Sequence, residues 1–180
     1  LSTDMYLAAF PTILEEFQTT TQLLNYTLVG FFIFFAFGML LMGPLSDKYG
    51  RKPVLLSGLA VYLVSSLLCA LSFNIEMLIA FRITQAIGAG AMVAVSTAIV
   101  KDSFNDTERP RIIALIQMLS VFGPTLGPII GAVVIKYVNW QTTFVVLALI
   151  SILSTIMSLM FAETLAKEKR LKGNILDTFK

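Results

Sequence analysis

Four stretches of this chain, residues 26–45, 53–75, 112–135 and 137–162, each run for the length of a membrane-spanning helix without one charged residue. An α-helix needs about 20 predominantly apolar residues to cross the hydrocarbon core of a bilayer. A fifth stretch, 77–100, carries one charge, Arg82. A sixth, 1–14, is mostly apolar and opens without an initiator Met, so it reads as a first span cut short and the chain as a fragment. With 57% hydrophobic residues against 13% charged, and a mean hydropathy of +0.84, there is too much apolar surface for one water-surrounded core. The expectation is an all-α membrane protein, a bundle of six transmembrane helices.

Several kinds of chemistry drop out at once. A single cysteine, Cys69, inside a span gives no disulfide, and the lack of histidine leaves no zinc site and no Cys/His nucleophile. A net charge of +2 is too small and too scattered for a nucleic-acid binder. No signal peptide is visible, and internal spans can direct insertion themselves. No catalysed reaction and no cofactor are expected.

Eleven of the 13 Lys and Arg residues fall in alternate connections: after the second span, after the fourth, and after the sixth. The opposite connections hold Glu15, Glu16 and Glu76 with one basic residue, Lys136. The positive-inside rule therefore places 46–53, 101–111 and 163–180 in the cytoplasm. Residues 1–162 form the helical domain, and the charged tail 163–180 reads as the start of a cytoplasmic linker.

Basic residues in a cytoplasmic turn need no special cause, but the turn after the second span, GPLSDKYGRKP, also holds Asp47 and Gly50. A carboxylate there can accept backbone hydrogen bonds or pair with a guanidinium, and glycine permits a sharp reversal. This segment resembles the signature turn between helices 2 and 3 of the major facilitator superfamily, G-x-L-a-D-r-x-G-r-k-x-x-l, through Gly43, Leu45, Asp47, Gly50, Arg51, Lys52 and Leu55. Ser46 and Lys48 are mild departures. The resemblance implies a cytoplasmic gate in which Asp47, Gly50 and Arg51 act with Asp102, at the end of the fourth span.

Two ionisable residues lie inside spans. Asp4 is about 15 Å from the outer end of the first span and Arg82 about 9 Å from the outer end of the fourth, a difference in depth that an arginine side chain can bridge. Each must pair or face water, or snorkel to the surface. The stretch STDMYLAAFP around Asp4 resembles the first helix of the Bcr/CflA drug-resistance branch of the superfamily, with Ala8 where that branch usually has proline. Arg82, Gln85 and Gly88 are similar to the family's R-x-x-Q-x-x-G signature, with Gln85 one turn below Arg82 on the same face. Together these imply proton coupling through Asp4 and Arg82 beside a substrate-facing cavity that includes Gln85.

The fifth span contains GPTLGPIIGA. Pro124 and Pro128 each remove a backbone hydrogen bond, and Gly123, Gly127 and Gly131 recur every four residues as a smooth face for close helix packing. The pattern also resembles g-x-x-x-G-P-x-x-G-G, the helix-five signature of the superfamily's antiporters, with Ala132 replacing the last glycine. Other patterns stay open. Tyr6, Met92 and the Phe31–Phe37 run can meet an apolar drug, or lipid and neighbouring helices. Ala86, Gly90, Ala94 and Ala98 read as a packing seam. Ser151, Ser154 and Ser158 can line a path or bond to their own helix.

The resemblance covers the whole chain and implies the N-terminal six-helix half of a major facilitator transporter. The expected function is proton-coupled export of small, largely apolar compounds from a bacterial inner membrane, with the proton as coupling ion and a second six-helix half as partner. The alternatives are an uptake symporter or facilitator of the same superfamily, and a non-transporting truncated membrane protein.

Overall fold

The computed structural model describes residues 2–160, 162–165 and 170, and the rest of the 163–180 tail lies outside the described residues. Eight helices follow one another: α1 (Ser2–Ala8), α2 (Phe10–Glu16), α3 (Thr21–Tyr49), α4 (Arg51–Ala70), α5 (Ile75–Ser103), α6 (Arg109–Ser120), α7 (Phe122–Tyr137) and α8 (Gln141–Met160). Among the described residues there is no strand. Helices α3, α4, α5, α8 and the joined α6–α7 are each long and apolar enough to cross a membrane, and α1–α2 makes up the first span.

Proline explains the two interrupted spans. Pro11, at the start of α2, cannot donate to the preceding turn, and Ala9 closes instead on Tyr6 O at 2.9 Å, a tighter reversal than an α-helical bond. Pro124 likewise leaves Ser120 without a donor. The ladder breaks at Val121, which keeps helical dihedrals, and Thr125 N reaches Val121 O only at 3.4 Å. Pro128 is carried inside α7.

The turns at the acidic end are capped by side chains, as unpaired helix N-H groups demand. Thr20 accepts from Leu23 N, Asn74 Oδ1 from Met77 N at 2.8 Å, and Asn139 Oδ1 from Thr142 N at 3.0 Å. The reversal from α3 to α4 is made by one residue, Gly50, at φ 108° and ψ 154°. A side chain at that φ is strained.

The second and third spans both pack on the fourth, the third also packs on the sixth, and the first packs on the fifth. Small residues permit close crossings: a Cβ on Gly90 would strike the backbone of Phe35 and Met39 on α3, one on Gly88 would lie 2.8 Å from Gly58 O on α4, and one on Gly131 would lie 2.9 Å from Met5 O on α1. The seam expected along the fourth span is thus formed at Ala86 and Gly90, both buried. Phe31 turns inward while Phe32, Phe34 and Phe37 face outward, as a helix between a bundle and lipid requires. Helix α6 has no buried residue, and a cleft of about 420 Å³ between it and α5 is lined by Met92, Ser96, Val100, Ile113 and Gln117.

Candidate functional site

Two polar centres stand out in this bundle, one buried in its core and one at its basic end. The first is built around Arg82, which is fully buried. Its Nη1 donates to Ser2 Oγ at 3.0 Å and to Gln85 Oε1 at 2.7 Å. Gln85 Nε2 in turn donates to Ser66 Oγ at 2.7 Å, so α1, α4 and α5 share one network. Around the guanidinium carbon lie the rings of Phe31 at 4.3 Å, Tyr6 at 4.6 Å and Phe144 at 5.8 Å. Among the described residues Nε and Nη2 have no hydrogen-bond partner, and the electron-rich ring faces supply the stabilisation that acceptors do not. Tyr6 is itself held, its hydroxyl accepting from Thr27 Oγ1 at 2.7 Å.

The expected Asp4–Arg82 pair is not formed. Ser2 and Tyr6, four residues apart, put one face of α1 toward Arg82, and Asp4, two residues on from Ser2, is rotated by about 200° around the helix. It meets α7 instead. A Cβ on Gly127 would lie 2.6 Å from Asp4 Cβ, and Asp4 Oδ2 is 3.5 Å from the same point. The acid of the first span and the glycine face of the fifth, read separately in the sequence, are one contact. Tyr6 and Gln85 are both buried, Tyr6 with its ring against the Arg82 guanidinium and Gln85 hydrogen-bonded to it. Met92 lines both the α5–α6 cleft and a second opening of about 200 Å³ shared with Ser2, Tyr62, Leu147, Ser151 and Ser154. Of the hydroxyl stripe, Ser151 bonds across to Leu59 O at 3.2 Å and Ser154 back to Ile150 O at 2.9 Å.

The second centre gathers Asp47, Gly50, Arg51 and Asp102. Arg51 Nη1 pairs with Asp47 Oδ1 at 2.5 Å and donates to Ser46 Oγ at 2.6 Å, while Nε pairs with Asp102 Oδ2 at 2.8 Å. The spacing of four residues between Asp47 and Arg51 spans the Gly50 turn and joins α3 to α4, and Asp102 adds α5. Arg51 is largely buried, so its charge is held by two carboxylates rather than by water. Glu163, which the charge pattern grouped with the tail, sits against this turn and accepts from Arg51 N at 2.9 Å. Gly123 and Pro124 stand at the break of the fifth span, half-buried and exposed, with Pro128 exposed beyond them.

At the opposite end Glu16 accepts from Trp140 Nε1 and from Gln141 Nε2 at 3.0 Å, tying the first span to the start of the sixth. Trp140 is fully buried, its ring edge-on to Phe17 and Phe144. Nothing in the local sequence marks this clamp, because its members are 124 residues apart.

A bundle of span-length apolar helices with a buried arginine in its core and a charged reversal at one end has the features of a membrane transporter. The family model described as Major Facilitator Superfamily matches residues 1–177, and the chain belongs to that family. It is 36% identical over 150 residues to a chloramphenicol resistance protein of Pseudomonas aeruginosa, covering 83% of this chain and 36% of that one. Over 169 residues it is 30% identical to a bicyclomycin resistance protein homolog of Haemophilus influenzae, covering 93% and 42%. Among solved structures, the human organic anion transporter MFSD10 (TETRAN) superposes with a TM-score of 0.76 at 26% identity, covering 96% of this chain and 46% of that one. The chain thus spans less than half the length of these relatives and corresponds to the N-terminal half of the fold, a multi-pass membrane protein of a transporter family.

Proposed function

We propose that this chain is the N-terminal half of a Bcr/CflA-type antiporter that exports small, largely apolar compounds in exchange for protons. The observation that carries the reading is the seat of Asp4 against Gly127. Asp4 is a carboxylate of the apolar first span, and it rests on the Gly/Pro helix whose pattern resembles antiporters. Protonation of Asp4 alters what that crossing must accommodate, which gives a proton a mechanical effect. Arg82, locked among rings, the Ser2 hydroxyl and the Gln85 amide, holds the first, third and fourth spans together and sets the face that α1 presents. Met92, with Ser2, Tyr62 and Ser151, lines the opening through which substrate is held, Tyr6 and Gln85 supporting it from behind. The names of the chloramphenicol and bicyclomycin relatives favour drugs as the cargo.

In this reading the membrane is a bacterial inner membrane, and 46–53, 101–111 and 163–180 are cytoplasmic, the last as a linker to the second half. Asp47, Arg51 and Asp102 close the cytoplasmic side. The full-length protein in inside-out vesicles, given an acidic lumen, is expected to accumulate chloramphenicol against its gradient and to lose it when an uncoupler is added. Accumulation driven only by an alkaline lumen indicates symport, and equilibration without a gradient indicates a facilitator; either result ends the antiport reading. Asp47→Asn is expected to lower that uptake on the order of tenfold, equivalent to about 1.4 kcal/mol, at unchanged membrane abundance. Wild-type uptake by this variant removes the gate.

A further inference from the structure

The segment after the sixth span makes contacts that the gate of Asp47, Arg51 and Asp102 does not account for. Glu163 lies three residues beyond the end of α8. Its Oε1 accepts from Arg51 N at 2.9 Å and from Leu165 N at 3.1 Å, and its Oε2 accepts from Lys52 N at 3.3 Å and lies 3.6 Å from Arg170 Nη2. Arg51 and Lys52 are the first two residues of α4, where helix N-H groups lack intrahelical partners and the helix dipole favours negative charge. Gly50, the residue in the capping position, has no side chain to serve them. A carboxylate 112 residues away does so.

The exchange runs in both directions. Lys52 Nζ donates to Leu159 O at 2.8 Å, satisfying a carbonyl in the last turn of α8, where acceptors are left over. The start of the third span and the end of the sixth therefore cap one another. Gly50 also leaves the room for this: a Cβ there would fall 2.5 Å from Glu163 Oε2 and 2.7 Å from Arg170 Nη2. Glycine at position 50 thus serves both the positive φ and the vacancy that Glu163 fills.

From this we infer that Glu163 is a positioning residue of the cytoplasmic gate: it fixes the backbone from which Arg51 reaches Asp47 and Asp102, and binds the start of the linker to the gate. Arg51 is held at both ends, its amide by Glu163 and its guanidinium by Ser46, Asp47 and Asp102. The gate cannot rearrange without disturbing the end of the sixth span, and displacement of the linker is felt at Arg51. The inference rests on the gate reading given above.

The test uses the full-length protein in proteoliposomes with chloramphenicol as probe. Glu163→Ala is expected to lower the maximal transport rate about fivefold with KM within about twofold, since a lost cap costs about 1 kcal/mol. Glu163→Gln, which keeps one oxygen acceptor for one of the two α4 amides, is expected to recover part of that rate. Amide hydrogen exchange in residues 51–54, followed by mass spectrometry in detergent, should quicken about fivefold in the Ala variant. Gly50→Ala is expected to be more damaging than Glu163→Ala, and the double variant better than the product of the two single effects, because the clash with Glu163 is gone while the strained φ stays. Unchanged exchange in 51–54, or single effects that multiply independently, overturns the inference. So does a wild-type rate in Glu163→Ala while Asp47→Asn is crippled. If Asp47→Asn also transports normally, the gate reading itself has failed and Glu163 has nothing to position.

Discussion

Asp4→Asn is expected to abolish proton-driven accumulation of substrate while leaving downhill exchange of substrate measurable. Asparagine has the shape of aspartate and keeps its place against Gly127, so the crossing of α1 and α7 survives. What it lacks is a proton to give or take. A coupling site must be an acid within reach of water from one side and then the other, and Asp4 is a carboxylate of the first span seated against a neighbouring span at Gly127. The measurement is proton release on adding chloramphenicol to purified full-length protein in unbuffered detergent solution. Wild-type protein should release protons and Asp4→Asn should not. Undiminished release by the variant places the coupling acid elsewhere. In this conformation Arg82 is engaged by Ser2, Gln85 and three rings rather than by Asp4.

Gly127→Leu is expected to remove export almost completely and to raise proton leak. The space beside Gly127 is occupied by Asp4, 2.6 Å from where a first side-chain carbon would sit, and a leucine adds three carbons beyond that. Neither neighbour can yield cheaply, since one turn further on a side chain at position 131 would meet the backbone of Met5. Overpacking of this kind costs about 1–3 kcal/mol, and relief requires α1 to move off α7. Asp4 then loses its seat, which is why leak accompanies the loss of export. Gly127→Ala should give a graded, smaller defect. Transport and passive acidification of vesicles by both variants decide the matter: normal export with no leak in Gly127→Leu makes the glycine face incidental.

Much of the architecture was written in local runs of residues. Uncharged stretches of span length, the alternation of basic connections and the turn at Gly50 each depend on residues adjacent in the chain, and lipid gives them a single interpretation because backbone polar groups there must be satisfied within a helix. The spacing of Asp47 and Arg51 was legible for the same reason, as was the weakness of the fifth span at its prolines, though only the structure places the break at Val121.

The sequence by itself determined six apolar spans, their alternation across the bilayer, and which residues carry charge into it. Only the tertiary structure decided what those charges meet. Rotation about α1 sends Asp4 to Gly127 and Ser2 and Tyr6 to Arg82, a choice made by the packing of whole helices rather than by depth along one of them. Glu163 reaching Arg51 and Glu16 reaching Trp140 likewise join residues more than a hundred positions apart. No local pattern encodes such contacts, because they exist only once close helix crossings, such as those at Gly90 and Gly131, have brought the spans into register.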